Sequence, residues 1–379
     1  MKIYLSIIVS FISVICKSQR MTVNQINYQM TGDHKAMVVK GSYSGNIIIP
    51  DKITFQDVTY VIEALGYDSF SGSHQLISVK LPESIRNIEG RAFEDCINLT
   101  SINFPKSLQR IENAAFFKCD QLKKVIIPEN VELISPNAFS YCSSLQEISV
   151  DPKNKFYASK DGVLYDKTFK ILIKVPDTKS EVNIADTVEK IFPSTFENCR
   201  FLSKIELPLS VTDIPTFSFD NCKALKEFNI HQNIKTIGWD IFRNAESLKK
   251  FTVDSLNPNF SIEDDVLYDQ EKINLLRFPP AKEKIIIPPT VKNIATSTFN
   301  TSKYLKEITI PETVEKINIW AFANCPLLTK ITILAKKPTY MSEAFQISRK
   351  ITFYVPKETV EEYKKSNDSS WKNANYVGI

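Results

Sequence analysis

Phenylalanine and cysteine recur in this chain at a fixed step. Cys96, Cys119 and Cys142 lie 23 residues apart, and each follows a phenylalanine (Phe93, Phe116, Phe139) by three positions. The phenylalanine position continues at Phe70, Phe196, Phe219, Phe242, Phe299, Phe322 and Phe345. Leucine opens the same units at Leu76, Leu99, Leu122, Leu145, Leu202, Leu225, Leu248, Leu305 and Leu328, in steps of 23 or 57 residues. Since 57 is 34 plus 23, each long step hides a further unit, opened by Lys179 or Lys282. With a looser first unit around Asn46–Pro50, about twelve units result. A lone coil of this length cannot hide its apolar side, so the units must stack and share one core.

Within a unit the pattern is L-x-x-[IVF]-x-[ILFV]-P-x-[ST]-[VIL]-x-x-I, followed after a short gap by A/S-F-x-x-C. The first part is a short alternating strand, as in Leu76–Leu81, which points Leu76, Val79 and Leu81 inward. Proline then stops it, because it has no N–H to give to a ladder. The remainder returns along the outer side and carries isoleucine and the Ala-Phe pair into the core.

The copies "LISVKLPESIRNIEGRAFEDCIN" (Leu76–Asn98), "LTSINFPKSLQRIENAAFFKCDQ" (Leu99–Gln121) and "LKKVIIPENVELISPNAFSYCSS" (Leu122–Ser144) resemble the BspA-like, or Treponema-type, leucine-rich repeat family. The resemblance covers about residues 44–350, with Ala245 and Ser302 in place of the cysteine and His231 in place of the proline. The expected fold is an α/β solenoid: a right-handed leucine-rich repeat superhelix of about twelve coils, with a parallel β-sheet on one face, two inserted β-hairpins and short caps. Its expected boundaries are 1–18 for a signal peptide, 19–43 for an N-terminal cap, 44–350 for the repeats and 351–379 for a C-terminal cap. The resemblance implies a bacterial surface or secreted protein that adheres to host or neighbouring-cell proteins. The alternatives are a structural envelope component and a carbohydrate-binding surface protein.

Beyond Cys16, six cysteines occupy one repeat position: Cys96, Cys119, Cys142, Cys199, Cys222 and Cys325. Equivalent Cβ atoms on stacked rungs keep the strand spacing of about 4.8 Å, longer than the roughly 3.8 Å of a disulfide. A metal needs ligands converging on one point, whereas a ladder spreads them along a line. The cysteines therefore read as small apolar bricks beside the phenylalanines. No metal and no cofactor is expected.

Asp151–Asp166 and Asp254–Asp269 align without gaps, sharing Asn154/Asn257, Asp161/Asp264 and "VLYD". A turn at Lys160-Asp161-Gly162 and a second one through Asp166–Phe169 make each a hairpin, expected to project from the solenoid. The Asp/Asn residues could be oxygen ligands for calcium, but their spacing matches neither an EF-hand loop nor the glycine-rich nonapeptides of calcium β-helices, and turn formers of this kind bond to nearby backbone.

On the strand face the outward column reads Ser78, Ser101, Lys124, Glu147, Glu181, Lys204, Glu227, Lys250, Lys284, Glu307 and Lys330. The candidate ligand surface is Lys124, Glu147, Glu181, Lys204, Glu227 and Lys250, with Phe156, Tyr157 and Phe260 of the hairpins as anchors. A carbohydrate reading requires exposed aromatic residues in a row, and these strands carry none.

Residues 1–18, "MKIYLSIIVSFISVICKS", have the charged start and apolar middle of a secretory signal, with the lipoprotein alternative at Cys16 disfavoured by Ile15. Its removal takes Lys2 and Lys17, so 47 basic residues become 45 against 43 acidic ones, and the net charge falls from +4 to +2. That excludes the clustered positive charge of a nucleic-acid binder. No membrane span is expected after removal, and the mature chain is expected to be a monomer. His34, His74 and His231 sit on separate units, so no catalytic constellation forms and no enzyme is expected. At the ends, Gln25–Gly41 reads as a two-stranded lid, and the C-terminus as a strand, a helix at about Glu358–Lys365, and Trp371.

Overall fold

Every unit places residues at positive φ in its outer turn, and this decides what that turn can be. Arg91, Asp95, Ala114, Lys118, Ser194, Asn198, Asn221 and Asn324 all have φ between 53° and 67°. A residue in the left-handed region stops a right-handed helix, so the outer side folds as tight turns. The computed structural model describes residues 19–336, 340–341, 343–345, 351–365 and 374–379. The segment expected to be a signal peptide, 1–18, and Trp371 lie outside them. Helix among the described residues is confined to a 3-10 turn, Lys357–Thr359, and an α-helix, Val360–Lys365. The architecture is a β-solenoid.

The chain divides into two compact units, Met1–Thr178 and Lys179–Ile379. Together they carry about 14 turns, against the twelve expected. Terminal segments account for the difference by joining the ladders. Lys35–Val38 pairs in parallel with Val58–Leu65, and Asn375–Gly378 pairs in parallel with Thr352–Val355.

In the first unit, Arg20–Val23, Ile26–Gly32 and Lys35–Val38 form an antiparallel meander at the N-terminal end. Val58–Leu65 carries this sheet in parallel into the short strands Asn87–Ile88, Arg110–Ile111 and Leu133–Ile134. On the other side of each coil lie the leucine-opened strands, with Ser44–Ile48, Gln75–Lys80 and Ser101–Asn103 in one parallel sheet. Between them runs a column of rings: Phe70, Phe93, Phe116 and Phe139 stack at 4.9, 5.1 and 5.3 Å. The turns bond rung to rung as well, Phe93 N to Ala115 O and Phe116 N to Ala138 O.

The second unit repeats this plan. Phe196–Phe219 and Phe299–Phe322 stack at 4.7 and 4.8 Å. Four parallel strands, Glu307–Ile310, Lys330–Ile333, Thr352–Val355 and Asn375–Gly378, form its longest strand-face sheet. The C-terminal helix tucks in Tyr363, which is buried.

The hairpins lie closer in than the expected projection. Val163, Leu164 and Tyr165 in the first, and Val266, Leu267 and Tyr268 in the second, are all buried. Each hairpin folds over the edge of the preceding sheet: Ile148 N donates to Gly162 O, and Phe251 N to Asp265 O. Gly162 permits the approach, since a Cβ there would sit 3.3 Å from Glu147 Cα. The strand face is divided into separate sheets. Lys124–Ile127 with Glu147–Val150, and Glu227–Ile230 with Lys250–Val253, are isolated parallel pairs.

Candidate functional site

The outward residues of the strand face neutralise one another. Lys124 Nζ is 3.1 Å from Glu147 Oε1, Lys250 Nζ 2.8 Å from Glu227 Oε2, and Lys330 Nζ 3.2 Å from Glu307 Oε2. Glu147 also accepts a hydrogen bond from Ser149 Oγ. Lys204 turns along its own rung to Glu206, at 2.6 Å. The hydrogen bond and charge of Lys204 draw the Glu206 carboxyl below its ordinary range, and Lys250 does the same to Glu227. Glu181, Lys204 and Glu206 line a cleft of about 500 Å³ whose apolar wall includes Leu207 and Leu209. Residues 181–184 and 202–207 carry no strand pairing there, so the expected ladder is open at this point.

In the neighbouring outward column stand uncovered isoleucines: Ile48 (69% exposed) and Ile126 (59%) in the first unit, and Ile286 (87%) in the second. Neighbouring repeats place polar residues in this column, Lys80, Asn103 and Ser149 among them. A second hollow, of about 660 Å³, is flanked by exposed Leu209 and Leu256 in the second unit. Neither leucine was singled out from sequence, although each occupies a turn position where polar residues are usual.

The hairpin aromatics separate. Phe156 is 49% exposed. Tyr157 is half-buried, and its Oη accepts from Ile134 N at 2.9 Å. Phe260, aligned with Tyr157, is buried with its N–H on Asn257 Oδ1, so its ring is unavailable to a partner. The Asp/Asn residues prove to be turn machinery. Asn154 Nδ2 donates to Pro128 O and Val131 O, while its Oδ1 accepts from Phe156 N and Tyr157 N. Asn257 donates to His231 O and Ile234 O and accepts from Asn259 N and Phe260 N. Among the described residues no group of three or more His, Cys, Asp or Glu is placed to hold a metal.

Cys96, Cys119, Cys142, Cys199, Cys222 and Cys325 are free thiols. Cys96 Sγ donates to Phe70 O at 3.1 Å, Cys119 to Phe93 O at 3.2 Å, and Cys325 to Phe299 O at 3.0 Å. Each thiol thus tethers its rung to the preceding phenylalanine turn. Burial pushes Cys96 and Cys325 up to about 12, and Cys119 well above the ordinary range. Native protein at pH 8 is therefore expected to resist alkylation by iodoacetamide that denatured protein takes up at all six positions, as read by mass spectrometry. Cys96, Cys119 and Cys325 stay neutral in the fold where unfolded thiols ionise. Their contribution to stability is intact below about pH 8.5 and declines as pH rises further.

A family model, the BspA type leucine rich repeat region (6 copies), matches residues 48–170, 176–285 and 281–370. No curated protein matches the chain. A leucine-rich repeat protein from Eubacterium ventriosum is similar in structure at 20% identity, covering 86% of this chain and 94% of that one, with a TM-score of 0.56. A leucine rich cell surface protein from Faecalibacterium prausnitzii is 22% identical over 95% of both chains, with a TM-score of 0.47. The T. pallidum leucine rich repeat protein is 21% identical over 61% of this chain and 91% of its own, with a TM-score of 0.37. With the family match spanning most of the chain and the stacked phenylalanine–cysteine turns present in both units, this protein belongs to the BspA-type leucine-rich repeat family.

Proposed function

We propose that this chain is exported by its first 18 residues and acts outside the cell as a non-covalent protein-binding module, adhering to host or neighbouring-cell proteins. The observation that carries this reading is the exposure of Ile126 on a β-rung directly beside the Lys124–Glu147 pair. Large apolar side chains held rigidly and ringed by charge supply desolvation energy at the centre and register at the rim. Strand backbones fix such residues before a partner arrives, which lowers the ordering cost of binding. The mature chain works as a monomer, without metal or cofactor.

Purified protein immobilised on a sensor surface and exposed to extracellular-matrix proteins tests this. Binding of at least one, weakened about tenfold or more by Ile126→Asp, is the expected outcome. Lys124→Glu, which sets two carboxylates side by side, should change the association rate and its salt dependence while leaving the melting temperature nearly unchanged. Retention of no matrix protein, or equal binding by both variants, would overturn the reading.

A further inference from the structure

The two faces of the coil end differently. At the N-terminal end the meander Arg20–Val23, Ile26–Gly32 and Lys35–Val38 extends the sheet of the outer turns and covers its first rung. The strand face has no such cover. Its first strand, Ser44–Ile48, pairs with Gln75–Lys80 and with no other strand among the described residues. Its last strand, Asn375–Gly378, pairs with Thr352–Val355 and, among the described residues, with no strand beyond. Peptide groups point out of both edges, because alternate residues of a parallel ladder bond to opposite sides. Ile49 N donates to Lys80 O, so Asn46 and Ile48 direct their peptide groups to the open side. Asn375 N donates to Ile351 O and Ile379 N to Val355 O, which turns the Gly378 peptide group the other way.

Open edges are normally guarded by a charged side chain, a proline or a strong bulge. These two strands, Ser-Gly-Asn-Ile-Ile and Asn-Tyr-Val-Gly, contain neither charge nor proline. The register shift at Gly45/Asn46 lies at the start of the first strand and leaves Asn46–Ile48 in regular pairing. Charge sits instead on inner rungs, at Lys124, Glu147, Glu227, Lys250, Glu307 and Lys330, where it guards no edge. The two edges also match column for column. Asn46 is in register with Ser78, and Asn375 with Thr352 and Lys330, so both asparagines stand in the first outward column. Ile48 is in register with Lys80, and Val377 with Tyr354 and Thr332, which places both in the second. Between them Ile47 and Tyr376 share the inward column. Ile48 is 69% exposed and Val377 37%.

We infer that Ser44–Ile48 of one copy pairs in parallel with Asn375–Gly378 of a second copy, so that chains of this protein join head to tail. The pairing sets Asn375 beside Asn46, Val377 beside Ile48 and Tyr376 beside Ile47, an amide pair with two apolar pairs. These matched columns select the occupant. An unrelated strand could satisfy the peptide groups, but this chain's own end also brings an asparagine and two apolar residues to the three places that want them, with no charge to desolvate. The contact is heterologous, each copy using two different ends, so a joined pair still offers one open edge of each kind. Strands of five and four residues make a small interface, so single chains prevail in dilute solution and joining sets in as concentration rises. This contact is separate from the Ile126 surface and does not rest on the protein-binding reading.

Sedimentation velocity of the purified exported protein between about 5 and about 500 μM tests the inference, a range suited to an interface below standard size. The weight-average sedimentation coefficient of the parent is expected to rise across it. Ile48→Lys and Val377→Lys each put a charge on one edge and should weaken association about tenfold or more. Both side chains are exposed, so melting curves should stay close to the parent's. Should Val377→Lys not fold, Asn375→Lys carries the same test. An equal mixture of the two edge variants is the sharpest sample. Each keeps the end that the other lacks, so the mixture should form a dimer and nothing larger, at concentrations where either variant alone is monomeric. Ile126→Asp, in the column of Ile48 but inside the sheet, should associate like the parent. A parent that is monomeric at every concentration overturns the inference, as does a mixture that stays monomeric. Association of folded Ile48→Lys alone at the parent's strength also overturns it, since that marks a contact made elsewhere.

Discussion

Phe116→Ala is expected to lower the unfolding free energy of the chain by about 3–5 kcal/mol, the range for removing a fully buried ring. Phe116 has 0% exposure and is stacked on both sides, at 5.1 Å to Phe93 and 5.3 Å to Phe139. Its backbone N–H is tied to Ala138 O, and its carbonyl accepts the Cys142 thiol. Neighbouring turns are thereby locked on both sides, so little collapse can fill the space left behind. In a stacked repeat each interface counts once, and loss of one ring damages two of them. Urea denaturation followed by circular dichroism reads the effect. Phe156→Ala is the control, since that ring is half in solvent and its loss should cost under about 1 kcal/mol. Equal effects for the two variants would mean that the ring column does not hold the coils together.

Asn154→Ala should be comparably damaging, at about 3–5 kcal/mol, although it removes almost no apolar surface. The amide bonds two carbonyls and two N–H groups in a buried setting, and all four bonds go when the amide is lost, Pro128 O keeping the Val131 N–H. Asn154→Asp keeps the acceptor but turns a carboxylate toward Pro128 O and Val131 O, so it too should destabilise. Asp151→Ala loses only an exposed bond to Lys153 N and should cost under about 1 kcal/mol. Added calcium should shift the melting temperature of none of these proteins. A calcium-dependent rise in the parent that Asp151→Ala abolishes would return the segment to the ion-binding reading.

These two sites mark how far sequence reasoning reaches. The phenylalanine column was visible because a stack of identical coils imposes one spacing on every copy, and the spacing survives in the chain. Asn154 and Asn257 were visible as an aligned pair, but their bonding was not, because the carbonyls they satisfy lie 23 and 26 residues earlier. The sequence pattern predicts the C-terminal helix at about Glu358–Lys365, and the structure has it at Val360–Lys365, preceded by Lys357–Thr359 in a 3-10 turn. Asn375–Gly378 was not anticipated as a strand, since its pairing depends on Thr352–Val355 being adjacent. Of the hairpin rings, Phe156 alone faces outward; Tyr157 and Phe260 share one register position, and alternation turns both toward the body.

Repetition in the one-dimensional code thus sets the coil, its proline stop, its ring-and-thiol turn and the stacking that follows. What lies between coils at their irregular members belongs to three dimensions. Lys174 and Arg277 occupy equivalent places in the two long units and read as ordinary outward strand residues. Yet Lys174 is buried against Asp177 at 2.9 Å, and Arg277 is buried among backbone carbonyls. The division of the strand face into separate sheets and the approach of Trp239 to Trp320, ring centroids 6.1 Å apart, have the same origin. Local pattern fixes which side of its own rung a residue faces, but its neighbours on adjacent rungs are set only by how the coils come together.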